Sequence, residues 1–312
     1  MISVQEAITR FRRDVTLGTL LRAVLACGVA AVFTLHFVPL GKQIPPALLL
    51  MALGAVWLTL WYRTIKGSRL AAESSTLIAS GRLEQAEEQI EMSLRAFSMS
   101  RSVKSMGLLN LALVRLAQKR WPDTVLLCRE VLSVPQKASD HVSKSGRLML
   151  ADSLLEMGDL RGAYDALAGL YNHRLTLSEA QNLLRVQTDY LARIGAWEHL
   201  FQAVQSKVQL AEIMPPANAA RVQAMLALAA LKTGRADWAN WLRRRVELLV
   251  DAAVLTEERP TLRELWDPTV QSSSSSSVAA TAMPPAPATD AAPPKLPEPP
   301  TTAATDPAAA AE

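Results

Sequence analysis

With 312 residues, half of them hydrophobic but only 5% aromatic, the chain can bury a sizeable core yet is poor in the residues that fill β-sandwiches and barrels. Its two cysteines, Cys27 and Cys128, have no CxxC spacing and suggest neither a disulfide framework nor a zinc site. The formal charge of +4 is too small to argue for nucleic acid. It is also uneven: beyond Asp267 one lysine faces four acids, which leaves +7 on the remainder, a balance suited to a body beside anionic lipid.

Residues 1–16 are polar, with Arg10, Arg12 and Arg13 just before a long apolar run, 17–40. From Ala23 to Leu40 there are 18 residues without formal charge, about 27 Å of helix at roughly 1.5 Å per residue, enough to cross a hydrocarbon core. A second run, 44–62, is also uncharged and ends in Trp57, Trp61 and Tyr62, residue types that favour the membrane interface. Only Gly41, Lys42 and Gln43, with Pro39 and Pro45 beside them, separate the two, so a tight transmembrane hairpin is expected. A signal peptide would have a shorter apolar region and a small-residue cleavage site, whereas this run ends in Phe-Val-Pro-Leu and is followed by a second span. Arg10, Arg12 and Arg13 before the first span, and Arg63, Lys66 and Arg69 after the second, place both ends in the cytoplasm. Arg22 reads as a snorkelling anchor and His36 as an interfacial imidazole, since neither span holds an acid to partner it. Ala23, Cys27 and Ala31 form a small-residue stripe that would let the two helices pack closely, or the hairpin dimerise.

From Gly67 onward a helix-turn-helix pattern recurs. Its clearest copy is LADSLLEMGDLRGAYDALAGL, residues 150–170, with Gly158 as the breaker. The turn positions are Gly81, Lys119, Gly158, Gly195 and Gly234, separated by 38, 39, 37 and 39 residues. Seven residues before each turn stand Ser74, Ala112, Ala151, Thr188 and Ala227, all small. Two after it stand Leu83, Trp121, Leu160, Trp197 and Ala236, mostly large. Five after it stand Ala86, Thr124, Ala163, Leu200 and Ala239. A hairpin of this size cannot bury its apolar face alone, so the units are expected to stack.

These columns resemble the tetratricopeptide repeat: a small residue in the first helix, glycine at the turn, an aromatic or leucine just after it, alanine in the second helix, and proline beyond. Pro135, Pro215 and Pro216 fall at helix exits, where proline ends a helix. Lys119 in place of the turn glycine and Leu200 in place of a small residue are departures. The resemblance covers residues 67–255 and implies a right-handed superhelix whose inner groove, lined by first helices, binds proteins or peptides. Its groove would present Met106, Asn110 and Leu113, then Ser145, Met149 and Asp152, then Arg185 and Asp189. Methionine and leucine at helical spacing are also ordinary core residues. Arg243, Arg244 and Arg245 point over most of a helix circumference and read as a solvated cap of the last unit, partly neutralised by Glu257 and Glu258. Leu262, Leu265 and Trp266 form an amphipathic turn able to cover the end of the array.

Beyond Asp267 six consecutive serines lead into an alanine, proline and threonine stretch with too little aliphatic bulk to fold, so 267–312 is expected to be disordered. Its Pro294-Lys-Leu-Pro297 has PxxP spacing, which arises by default in such tails. No phosphate loop, dinucleotide fingerprint, HExxH pair or GxSxG elbow occurs, and His141, His173 and His199 lie apart from one another. Acid pairs such as Glu87 and Glu88 read as solvated helix faces.

The expected architecture is all-α: a transmembrane helical hairpin, a tetratricopeptide-like solenoid of about five hairpins over residues 67–266, and a disordered tail. The layout is similar to anchored repeat proteins of the bacterial envelope, including the HemY type, and implies an integral protein of the inner membrane with both termini and the repeats in the cytoplasm. The expected role is a scaffold without enzymatic activity, cofactor, metal or nucleic acid. Its partners would be proteins or peptides at the groove and the bilayer through residues 17–62. The competing role is a non-catalytic subunit of a membrane complex that contacts its partners through the spans.

Overall fold

A computed structural model of the chain describes residues 2–37, 46–98, 100–134 and 140–266, with side chains left out at 32–37, 46–49 and 140. The interhelical link at residues 38–45, Pro135, the His36 side chain and the whole of 267–312 with its serine and PxxP segments lie outside that description. The protein is all-helical, and among the described residues there is no strand. They fall into two compact units, Met1–Met157 and Gly158–Glu312.

The first unit contains α1 (Val4–Phe37), α2 (Pro46–Ala79), α3 (Leu83–Arg95), α4 (Arg101–Ala117), α5 (Trp121–Ser133) and α6 (Asp140–Glu156). Consecutive helices pack together, and so do α2 with α4 and α4 with α6. Helix α1 is long and apolar enough over Val4–Ala31 to cross a membrane. It starts well before the apolar run, because the polar lead carries a buried stripe at coiled-coil spacing: Ala7, Phe11, Asp14, Gly18 and Leu25. The upper part of that stripe rests on α3, α4 and α5, so residues 4–16 are built into the helical body. Further along, a Cβ on Gly28 would meet the Leu53 side chain at 3.5 Å, so α1 and α2 pack there through glycine and leucine. The stripe of Ala23, Cys27 and Ala31 lies exposed on another side of α1. Helix α2 likewise passes without a break from the second apolar run into the first hairpin, where Ser74 is fully buried.

The second unit contains α7 (Leu160–Ala168), α8 (Leu177–Arg193), α9 (Trp197–Phe201), α10 (Val204–Glu212), α11 (Pro216–Lys232), α12 (Ala236–Leu249), α13 (Ala252–Glu258) and a 3-10 segment, Pro260–Trp266. Helix α11 is its centre, packed by α8, α9, α10, α12 and the 3-10 segment. Leu262 and Leu265 of that segment are buried. Arg243 and Arg245 meet Glu247 and Glu212, respectively, rather than Glu257 and Glu258. Arg245 also stacks over Trp241, so only Arg244 of the three stands fully exposed.

All five turn positions read from the sequence take left-handed backbone, with φ from 59° at Lys119 to 81° at Gly158. At Gly81, Lys119, Gly195 and Gly234 the helix closes with the paired bonds of a Schellman motif, for example Arg82 N–H to Leu77 C=O at 2.9 Å and Arg120 N–H to Arg115 C=O at 2.8 Å. Helices α4, α6, α8 and α11, each preceding a turn, are all 17 residues long. The small column before the turns and the column five after them are buried throughout, Leu200 included. In the fourth hairpin the second helix breaks into α9 and α10 at Ala203, whose φ is 49°. Lys207 reaches back across the break to the carbonyls of His199 and Leu200, at 3.1 and 2.7 Å, and takes the place of the missing helical donors.

Candidate functional site: a groove along the first helices of the N-terminal unit

Three helices that each precede a turn, α2, α4 and α6, line a cleft of about 430 Å³. Its wall is made by Ser68, Ala71, Ala72 and Ser75 of α2, Ser102, Val103 and Met106 of α4, and Val142 of α6. These are small or flexible residues without charge. Such a wall leaves room for bulky side chains of an extended segment, with the serine hydroxyls available for hydrogen bonds and Met106 able to adapt its shape.

The helices that shape the groove are held by polar contacts beneath it. Asn110 donates to the Ala71 carbonyl at 2.8 Å and to Ser74 Oγ at 2.9 Å, which locks α4 against α2 under the cleft. Ser93 Oγ donates to the Gly67 carbonyl at 3.1 Å, and Gly107 lets α3 approach α4 so closely that a Cβ there would stand 3.2 Å from Leu94.

Two buried ion pairs fix the other side of α4. Lys104 Nζ lies 2.7 Å from Asp14 of α1, each side chain only 2–3% exposed. The same ammonium donates to the Leu94 and Ala96 carbonyls at 2.7 and 2.5 Å, so it also closes the end of α3. Burial pulls the Lys104 pKa below the usual lysine value, and the hydrogen bond and charge of Asp14 oppose that shift. Arg115 holds Glu87 through two bonds, at 3.1 and 2.7 Å, and donates to the Ile2 carbonyl at 3.3 Å and to Gln118 at 2.7 Å. Burial pushes the Glu87 carboxyl up, but the bonds and charge of Arg115 carry its pKa below the usual range. Glu87 is therefore an interior residue, not part of a solvated face, whereas its neighbour Glu88 is exposed. At the surface Arg12 makes a two-pronged contact with Glu130 of α5, at 2.8 and 2.6 Å.

The residues expected to face a groove divide accordingly. Met106 lines the cleft. Leu113, Ser145, Met149 and Arg185 are half-buried, while Asn110, Asp152 and Asp189 are buried. In the second unit Asp189 accepts from Arg221 of α11 and from Arg259, the latter at 3.0 Å, and so fastens α8, α11 and the end of α13 together. Asn110 and Asp189 are thus spent within the fold. Ser68, Ala72 and Ser75 are not legible as groove residues in the sequence, because which side of α2 stays open depends on where α4 and α6 pack. Sequence reasoning also missed Asp14, Glu87, Lys104 and Arg115, each a charge set within an apolar helical stripe, and that placement is the signal that could have found them.

The reactive residue types are not gathered here. His141, His173 and His199 are exposed on separate parts of the chain. Burial pushes the Cys128 thiol up to about 12, which leaves it protonated and unreactive at neutral pH. Comparison with protein families, characterised proteins and solved structures finds no match for this chain.

Proposed function

We propose that the chain is a membrane-anchored adaptor: a two-span anchor over residues 17–40 and 44–62 carries a tetratricopeptide-like array at the cytoplasmic face, and the groove binds an extended segment of a partner protein. The observation that supports this reading most is the groove itself, which lies along α2, α4 and α6, where the repeat resemblance puts its ligand surface. The regular turns, the equal first helices and the buried small columns support stacking of the hairpins into a solenoid. An interior wall without charge or reactive side chains suits recognition better than catalysis.

The test is photo-cross-linking in native membranes with the full chain, from a reactive side chain placed at Ser75 or Met106, or at the exposed Leu126 on α5. The adaptor reading expects one partner common to the two groove positions, absent at Leu126 and lost when M106W fills the cleft. Identical products from the groove and from Leu126, unaffected by M106W, would count against it.

A second reading, a complex subunit that binds through its spans, draws support from the uncovered apolar side chains Leu20, Val24, Met51 and Leu58, which are 64%, 57%, 71% and 66% exposed within this chain. Exchanging the spans for an unrelated hairpin separates the two: the adaptor keeps its partners and the subunit loses them.

A further inference from the structure

Helix α1 enters the first unit with its N-terminal half and α2 with its C-terminal half, so the two run antiparallel. The Gly28 and Leu53 contact sets their register, which puts Thr19 level with Tyr62. Tyr62 is 70% exposed and closes the apolar band of α2. Immediately beyond it come Arg63, Lys66 and Arg69, all exposed. Their three-residue spacing keeps them on one sector of the helix, and they cover about 9 Å along its axis at 1.5 Å per residue. That depth matches the roughly 5–8 Å headgroup layer of one leaflet. Helix α4 brings a fourth cation to the same level, since Arg101 donates to Thr19 Oγ1 at 2.7 Å across a sequence separation of 82.

Acids near this set are few: from Val15 to Ala72 the chain has no carboxylate, Asp14 is buried against Lys104, and the exposed Glu73, one turn beyond Arg69 on α2, makes no ion pair with it. Among the described residues neither Arg63, Lys66, Arg69 nor Arg101 forms an ion pair with a carboxylate. Topology signals need only charge in the flanking sequence. Arg101 is no part of such a flank, yet the fold carries it to the edge of the apolar band.

We propose that Arg63, Lys66 and Arg69 of α2 together with Arg101 of α4 form a docking surface for the phosphate groups of anionic phospholipids. The proposal rests on the anchor reading above and adds the class of lipid the anchor selects. The surface holds the first unit against the bilayer, with guanidinium groups paired to phosphates and Trp57, Trp61 and Tyr62 at the interface below.

The test uses the full chain in nanodiscs made from an equal mixture of phosphatidylcholine and phosphatidylglycerol, with the two lipids retained after mild detergent extraction counted by native mass spectrometry. The wild type should enrich phosphatidylglycerol. R63Q/K66Q/R69Q should lower the enrichment roughly tenfold or more, and R101Q a few-fold, from the contribution of about a fivefold preference per basic residue at an anionic surface. High salt should weaken the wild-type preference as well. Equal retention of both lipids by the wild type, or an unchanged ratio in the triple variant and in R101Q, would overturn the proposal. An unchanged lipid ratio with loss of an acidic protein partner would overturn it in favour of that partner. Flotation with vesicles of the same composition separates this failure from failure of the anchor itself. Protein that floats with vesicles of either lipid alone but shows no preference keeps the anchor and loses the lipid site, and protein that stays in the aqueous fraction loses both.

Discussion

Helices α4 and α11 are each the most surrounded helix of their unit, and each is 17 residues long, but they are packed by different means. Helix α11 buries Ala219, Ala220, Val222 and an unbroken run from Ala224 to Ala230, with Gln223 its one buried polar residue. Helix α4 buries Lys104, Ser105, Asn110 and Arg115 among its leucines. The contrast follows from their neighbours. Around α11 the partners differ in size, and alanine lets all of them come close. Helix α4 must also receive α1, whose buried stripe repeats the same apolar pattern from the polar lead into the apolar run. Apolar contacts alone would tolerate a slip along such a stripe, whereas Asp14 on Lys104 admits one register.

The largest effect should come from breaking one of these pairs. Removing Arg115 as R115M leaves Glu87 buried without its partner, at a cost of about 3–5 kcal/mol, while E87L/R115M should recover most of it. Chemical denaturation of the full chain in detergent reads both. If R115M is no worse than the double variant, Glu87 does not depend on Arg115 for its place in the interior of the unit.

A middle-sized effect concerns the second unit. Burial lowers the Lys207 pKa to about 8. Above that pH the folded lysine is neutral while the unfolded one keeps its proton up to about pH 10.4, so the unfolded state binds more protons. Stability of the unit should therefore rise as pH increases from 8 towards 10, and K207M should remove the rise. Thermal melts across that range decide it, and a slope unchanged in K207M would contradict the assignment.

A smaller effect tests the turns. Lys119 is the one turn position without glycine and sits at φ 59°, so K119G should stabilise the chain by about 0.5–1 kcal/mol, and G234A at φ 74° should destabilise it by a similar amount. The smallest is in the 3-10 segment of the second unit: W266F removes the indole donor to Glu247 at an exposed contact and should cost about 0.5 kcal/mol.

The turns and small columns were legible because a left-handed helix end demands glycine or tolerates little else, and because close helix crossing excludes bulk. Lys119 could be placed only by the period of its neighbours, since lysine carries no such signal. The break at Ala203 had no signal at all: alanine is a strong helix former, and the conformation there is imposed by packing around the buried Leu200 and Phe201. The ion pairs were hidden for another reason. Asp14 and Lys104 stand far apart in sequence, and a charge in an apolar stripe announces burial without naming its partner. The groove was half legible: Met106 was found from its place on a first helix, but the open side of α2 depends on where α4 and α6 lie.

That the first turns of α1 belong to the helical body of the first unit is the statement most open to test. Its most direct test is a short bis-maleimide applied to R12C/E130C in sealed membrane vesicles, with Cys27 and Cys128 replaced by alanine. Arg12 and Glu130 are in direct contact, so rapid intramolecular cross-linking is expected, with none in R12C alone. Labelling of both cysteines without any cross-link, or their labelling from opposite sides of the membrane, would contradict the account.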